Sequence, residues 1–149
     1  MTEVLFYHLE RHPLDRVLPA MLEKSLERGW RAVIQADTQE RVEALDAMLW
    51  AYRDDGFLPH GTSDDGNADR QPVFLTDGDS NPNDAQVRFF VDGAGADDLS
   101  GYDRAVFLFN GQDPDAVQSA RVQWTALKDA GHEVTYWQQN ESGKWEKKA

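Results

Sequence analysis

The stretch Val4–Gln35, VLFYHLERHPLDRVLPAMLEKSLERGWRAVIQ, decides the fold class. Val4–Tyr7 is a short, almost wholly apolar run, as expected of a strand buried on both faces. Pro13 suits the first turn of a helix. Leu14, Val17, Leu18, Met21, Leu22 and Leu26 then recur at helical spacing to near Arg28. Gly29 is placed to stop that helix. Pro19 does not suit a helix interior, so the reading predicts a kink or a later start there. Arg31–Gln35 (RAVIQ) is the second strand. Strand, helix and strand make one repeat of an α/β domain.

The pattern continues outward. Thr38 is a good N-cap for a second helix, with Glu40 in its first turn. Val42, Leu45, Met48, Leu49 and Tyr52 form its buried stripe, and Trp50 lies off the centre of that stripe. Asp54–Gln71 reads as a polar loop, interrupted by Phe57–Pro59. Pro72–Leu75 and Gln86–Val91 read as strands joined by Asp77–Asp84 (DGDSNPND), which is turn chemistry throughout. Arg104–Phe109 (RAVFLF) is the next strand. Asp113 and Pro114 open a third helix that runs to near Ala130, with Gly131 as its stop. Glu133–Trp137 is the last strand, and the chain after Asn140 reads as loose. Short apolar strands alternating with helices predict a three-layer α/β/α domain, mostly parallel and Rossmann-like.

Composition narrows the function. A chain of 149 residues reads as a single domain, 1–149. It carries 27 Asp plus Glu against 15 Lys plus Arg, a net charge of -12. That lacks the basic footprint which offsets phosphate charge, so the balance argues against direct nucleic-acid binding. Cysteine is absent, which removes disulfides, zinc thiolates and thiol nucleophiles, and fits a reducing cytoplasm. No run is long and apolar enough for a membrane span. Glu10, Arg11, Asp15 and Arg16 interrupt any early signal-like segment.

Chemistry-bearing motifs are thin. The turn after the first strand, His8–His12 (HLERH), has no glycine, although close backbone approach to a pyrophosphate needs one. No Gly-x-x-x-x-Gly-Lys-[Ser/Thr] occurs. Gly93 and Gly95 begin a Gly-x-Gly, but Asp98 takes the third glycine's place. Asp77, Asp79 and Asn81 mimic the start of a calcium loop. That loop wants glycine and a bidentate glutamate where Pro82 and Arg88 stand. His8 and His12 lack a third ligand, and no Gly-x-Ser-x-Gly elbow exists. The reading is a non-enzyme with no cofactor and no metal.

Two binding features stand out. The first is Leu45–Gly61 (LDAMLWAYRDDGFLPHG), in which Trp50 precedes a turn carrying Phe57, Leu58, Pro59 and His60. Trp50 and Phe57 either cap a core edge or anchor a partner. The second is Ser119–Lys128 (SARVQWTALK), where Arg121, Trp124 and Lys128 share one helical face at i, i+3 and i+7. Two cations flanking an aromatic suit an acidic peptide that carries an aromatic side chain. The alternative is a core Trp with snorkelling basic neighbours.

The chain resembles the chi subunit of bacterial DNA polymerase III. That family's pattern is a helix ending in Leu-x-x-x-Leu-Trp, an acidic turn, then Phe-[Leu/Val]-Pro-His. Leu45, Leu49, Trp50, Phe57, Leu58, Pro59 and His60 supply it. The resemblance continues through Gln71–Thr76 (QPVFLT), Phe89–Gly93 (FFVDG), Tyr102–Gly111 (YDRAVFLFNG) and Gly131–Ala149. It implies a cytoplasmic, non-catalytic accessory subunit that links the clamp-loader assembly to single-stranded DNA-binding protein. The position matching Phe57 belongs to the surface that binds the psi subunit, or a helicase instead; Trp50, Leu58 and His60 match the surrounding pattern. In that family the third helix binds the acidic C-terminal tail of single-stranded DNA-binding protein, so the resemblance implies the same use here. Arg121 matches the family's arginine, Trp124 its aromatic position and Lys128 a later basic one. Thr125 departs from the usual lysine, which reduces the charge attraction. Lys144, Lys147 and Lys148 offset part of that loss if the tail folds back. The rival readings are an adaptor for a repair helicase and a nucleotide-dependent enzyme.

Overall fold

An eight-stranded sheet carries the fold in the computed structural model, which describes residues 2–10, 14–51, 60–62, 68–78, 80–95, 99 and 101–149. In chain order the elements are β1 (Glu3–Leu9), α1 (Leu14–Glu27), β2 (Ala32–Gln35), α2 (Gln39–Ala51), β3 (Gly61–Thr62), β4 (Val73–Thr76), β5 (Val87–Phe90), β6 (Arg104–Asn110), α3 (Pro114–Asp129), β7 (Glu133–Gln139) and β8 (Trp145–Lys147). The sheet order is β3-β4-β2-β5-β6-β1-β7-β8. Every pair is parallel except β7 with β8. The α/β class and the mostly parallel sheet match the reading from sequence.

Alternation along the strands separates two faces. Val4 and Phe6 of β1 join Phe107 and Phe109 of β6 in a core under α3, with Ala120 and Trp124 packed on it. Leu9, Val106 and Leu108 point the other way, into a core closed by Leu18 and Leu22 of α1 and Leu45 and Leu49 of α2. Among the described residues, no α-helix covers β2 and β4 on the α3 face. There Val33 and Phe74 pack with Ala85, and Ala68 from a single 3-10 turn, Ala68–Arg70, leans on them.

Helix ends form where their chemistry places them. Thr38 Oγ1 accepts from Arg41 N at 3.2 Å. Asp113 caps α3 by accepting from Asp115 N at 3.0 Å, ahead of Pro114. Gly29 and Gly131 adopt φ of +82° and +94° just past α1 and α3, a region open to glycine at no steric cost.

Three expectations need correcting. α1 starts at Leu14 and runs on through Pro19, so the later start does not occur. Pro19 lacks the N–H that would reach the Asp15 carbonyl, but Asp15 is exposed and Pro19 itself is buried in the apolar face. The chain after Asn140 is not loose: it turns back as β8 on β7. Asn140 Oδ1 accepts from Ser142 N and Lys144 N to shape the turn, and Gly143 supplies φ of +84°. Trp145 then packs edge-on against Tyr7, with ring centroids 4.8 Å apart. Third, the supposed polar loop Asp54–Gln71 contains β3, which pairs Gly61 with Phe74 and Thr62 with Leu75. Pro13, Tyr52, Phe57, Leu58 and Pro59 lie outside the described residues.

Candidate partner-binding surfaces

The first surface forms at the C-terminal end of α2. Trp50 sits in the last turn and is 58% exposed. His60 is buried, and its ring lies beneath the indole with centroids 4.8 Å apart. His60 Nε2 comes within 3.0 Å of Asp46 Oδ1, one turn before Trp50 on α2. His60 thus packs against the end of α2, beside β3, and presents little of itself. Of the four residues singled out here from sequence, the structure brings Trp50 and His60 together. Phe57 and Leu58 fall outside the described residues.

The second surface is the outer face of α3. Arg121 and Lys128 are exposed, and Trp124 is half-buried between them. Trp124 meets Phe6 and Tyr136 edge-on, each at 5.9 Å. Lys128 Nζ lies 5.8 Å from the Trp124 ring centroid, within cation–π reach. Trp124 thus closes a core edge and still shows an indole surface between two cations. Thr125 Oγ1 is turned back onto the Arg121 carbonyl at 3.0 Å.

Tyr136, beside this face, was not singled out from sequence, and His8 was weighed only as a metal ligand. Tyr136 of β7 touches Trp124, and its hydroxyl lies 2.6 Å from His8 Nδ1. His8 Nε2 is 3.0 Å from Glu10 Oε1. A proton on Nε2 satisfies both contacts: His8 donates to Glu10, and Nδ1 accepts from the Tyr136 hydroxyl. Burial pushes the Tyr136 phenol above its ordinary range, while Arg121 pulls it down and Glu10 pushes it up. The folded value exceeds the unfolded one. Its contribution to stability is therefore complete below the unfolded value, near 10, and is lost as pH climbs through the folded value. Lys148 donates its backbone N–H to the Tyr136 carbonyl at 2.7 Å, which brings the basic tail to the edge of this face. No sequence motif marks this cluster, because β1, α3 and β7 meet only in the folded sheet.

The imidazole of His8 also explains a glycine. A Cβ at Gly111 would run into its Nε2 and Cδ2. Gly111→Ala is expected to cost about 1–3 kcal/mol through overpacking, read as a lower urea midpoint. An unchanged midpoint would show that His8 is not fixed there.

A crevice of about 790 Å³ opens beyond the carboxyl ends of β1 and β6, where open α/β sheets commonly take ligands. Its lining includes Glu10, Asp92, Asp113 and Asp115, with Arg41 as the opposing charge. Arg41 is already engaged, with Nε 2.6 Å from Asp92 Oδ2. Asp113 occupies the N-terminus of α3, where a phosphate would otherwise sit. The crevice therefore repels phosphate. Among the described residues no group of three or more His, Asp or Glu side chains is arranged to hold a metal ion. No described helix is long and apolar enough to cross a membrane.

These features define a class: a three-layer α/β domain without a phosphate loop, with an exposed Trp50 on α2 and the exposed cations Arg121 and Lys128 on α3. Residues 1–135 match the family described as DNA polymerase III chi subunit, HolC, and the chain belongs to that family of accessory replication subunits. It is similar to a probable DNA polymerase III subunit chi from Rickettsia prowazekii (strain Madrid E), with 30% identity over 91 residues. That match covers 61% of this chain and 55% of the relative, so the chain spans about half the length of the curated relative it matches.

Proposed function

We propose that this chain is a non-catalytic, cytoplasmic adaptor of the replicative polymerase. It joins the clamp-loader assembly, through a psi subunit on the Trp50 surface, to the acidic C-terminal tail of single-stranded DNA-binding protein on α3. The observation that carries the reading is the pair of exposed cations, Arg121 and Lys128, on either side of the half-buried Trp124. Guanidinium grips a carboxylate, and the indole receives a ring. The chain's net charge of -12 opposes an acidic peptide at long range, so this local patch must supply the attraction. Salt screens both effects, and they act in opposite directions. The carboxylates of the crevice at the strand ends weigh against the rival reading of a nucleotide-dependent enzyme. A helicase in place of psi on the Trp50 surface is the other outcome, separated by pairwise binding to each purified protein.

Titration with an acidic peptide that ends in phenylalanine tests the α3 site. With Thr125 in place of lysine, the affinity expected is on the order of micromolar or weaker, roughly 8 kcal/mol or less. Arg121→Ala is expected to remove about 1.5–3 kcal/mol. Amidating the peptide's C-terminus should cost the native protein a similar amount and the variant little. Equal binding of both peptides to native protein, or no effect of Arg121→Ala, would defeat the assignment.

A further inference from the structure

The sheet face opposite α3 holds a groove of about 620 Å³ between α1 and the β7–β8 hairpin. Its floor is apolar: Val17 and Met21 of α1, Phe89 and Val106 of the sheet, and the Tyr7–Trp145 pair toward the hairpin. Its rim is cationic. Arg16 and Lys24 line it along α1, Arg28 just past the end of α1, and Arg104 from β6, against the single carboxylate of Glu27. Arg28 and Arg104 both stack on Trp30, at 4.6 and 5.3 Å from the ring centroid. Arg104 is paired with Glu3 at 2.7 Å, whereas Arg16 and Lys24 are exposed and form no ion pair among the described residues. Burial pushes the Tyr7 phenol up, so its ring stays neutral beside these cations.

Four of the chain's 15 basic side chains thus gather at one apolar groove of a protein with net charge -12. Their spread indicates the ligand. From Arg16 to Lys24 the helix rises about 12 Å, and Arg28 follows just past its end. One small carboxylic acid cannot meet charges so far apart. An extended run of carboxylates can, with an apolar side chain to displace water from the floor. We propose that this groove docks an acidic peptide segment of a partner protein. A bulky apolar side chain of that segment packs between Met21 and Trp145, and its carboxylates lie along the α1 rim. This site lies across the sheet from Trp124, so the two faces bind independently, and it does not depend on the adaptor reading.

The probe is a fluorescein-labelled synthetic peptide, Asp-Glu-Asp-Leu-Phe-Glu-Asp-Glu, acetylated and C-terminally amidated to remove the carboxylate that the α3 face would grip. Titrated with the full chain, it should bind saturably, move the indole N–H signals of Trp145 and Trp30 in ¹⁵N spectra, and weaken as salt is added. The double variant Arg16→Glu/Lys24→Glu should lose at least about tenfold in affinity while keeping the native amide spectrum away from α1. Arg121→Ala should bind as the native chain does. Unmoved indole signals, or equal binding by the double variant, would overturn the proposal. So would a loss with Arg121→Ala, which would place the peptide on α3. Equal binding of a peptide with Asn and Gln in place of its carboxylates would overturn it as well. Sodium dodecanoate moving the Trp145 signal where the peptide does not would assign the groove to a small amphiphile instead.

Discussion

Arg88→Met is expected to destabilise the protein by about 3–5 kcal/mol, the balance of several orphaned acceptors and a buried charge no longer needing solvation. Arg88 is 1% exposed and sits on β5, beneath the loop that joins β4 to β5. Its Nε and Nη2 donate to Gln35 Oε1 at 3.0 and 2.6 Å. Nη2 also reaches the Gly78 carbonyl at 2.6 Å, and Nη1 reaches the Ser80 carbonyl at 2.8 Å and the Tyr102 hydroxyl at 2.9 Å. None of these partners is a carboxylate, so dipoles and the Phe90 and Tyr102 rings, each 5.7 Å away, solvate the charge. Methionine fills much of the volume but strands these acceptors in a dry site. The melting temperature should fall by on the order of 10 °C. Arg88→Lys should fall between, since a lone ammonium cannot reproduce the planar fork. A loss below about 1 kcal/mol would show that the loop holds without its arginine.

Trp50→Ala carries the second large effect, and it falls on binding rather than folding. The indole is 58% exposed and rests on His60, so removing it should cost under about 1 kcal/mol of stability. Against the protein partner proposed for this surface, the same change should remove about 2–4 kcal/mol, roughly 30-fold or more. The buried His60 ring already supports the indole before any partner arrives, so little ordering cost remains to be met on association. Calorimetry and thermal melting on one sample separate the two quantities. A variant that melts early yet binds normally would make Trp50 a structural residue.

Most elements were legible because each has a local cause. Thr38 and Asp113 cap helices through their own side chains, and Gly29 and Gly131 end them through φ. The short apolar runs VLFY, RAVIQ and RAVFLF, bounded by turn or helix signals, read as buried strands. What stayed hidden depends on long-range packing. β1 and β2 are consecutive strands, yet β5 and β6 lie between them, an order that no local pattern carries. Pro19 was tolerated because the carbonyl it leaves unpaired is at an exposed residue. β8 was missed because WEK is short and charged, and it is held by Trp145 on Tyr7. Arg88 left a clue in a charge set inside the apolar run VRFFV, but its partners come from four other places in the chain. For the candidate sites, sequence placed Arg121, Trp124 and Lys128 on one helical face. It did not reveal the His8–Tyr136 contact beside them, which spans 128 positions.

The two margins of the sheet limit how anything else can attach to it. β3 is two residues long, and β8 is three residues long, with Glu146, Lys147 and Lys148 in and just past it. Short, charged outer strands are the usual means of stopping a foreign strand from annealing onto exposed amides. A partner gains little by extending this sheet through its backbone. Recognition therefore falls to side chains, where single substitutions change it, and the same margins guard the chain against fibrous self-association.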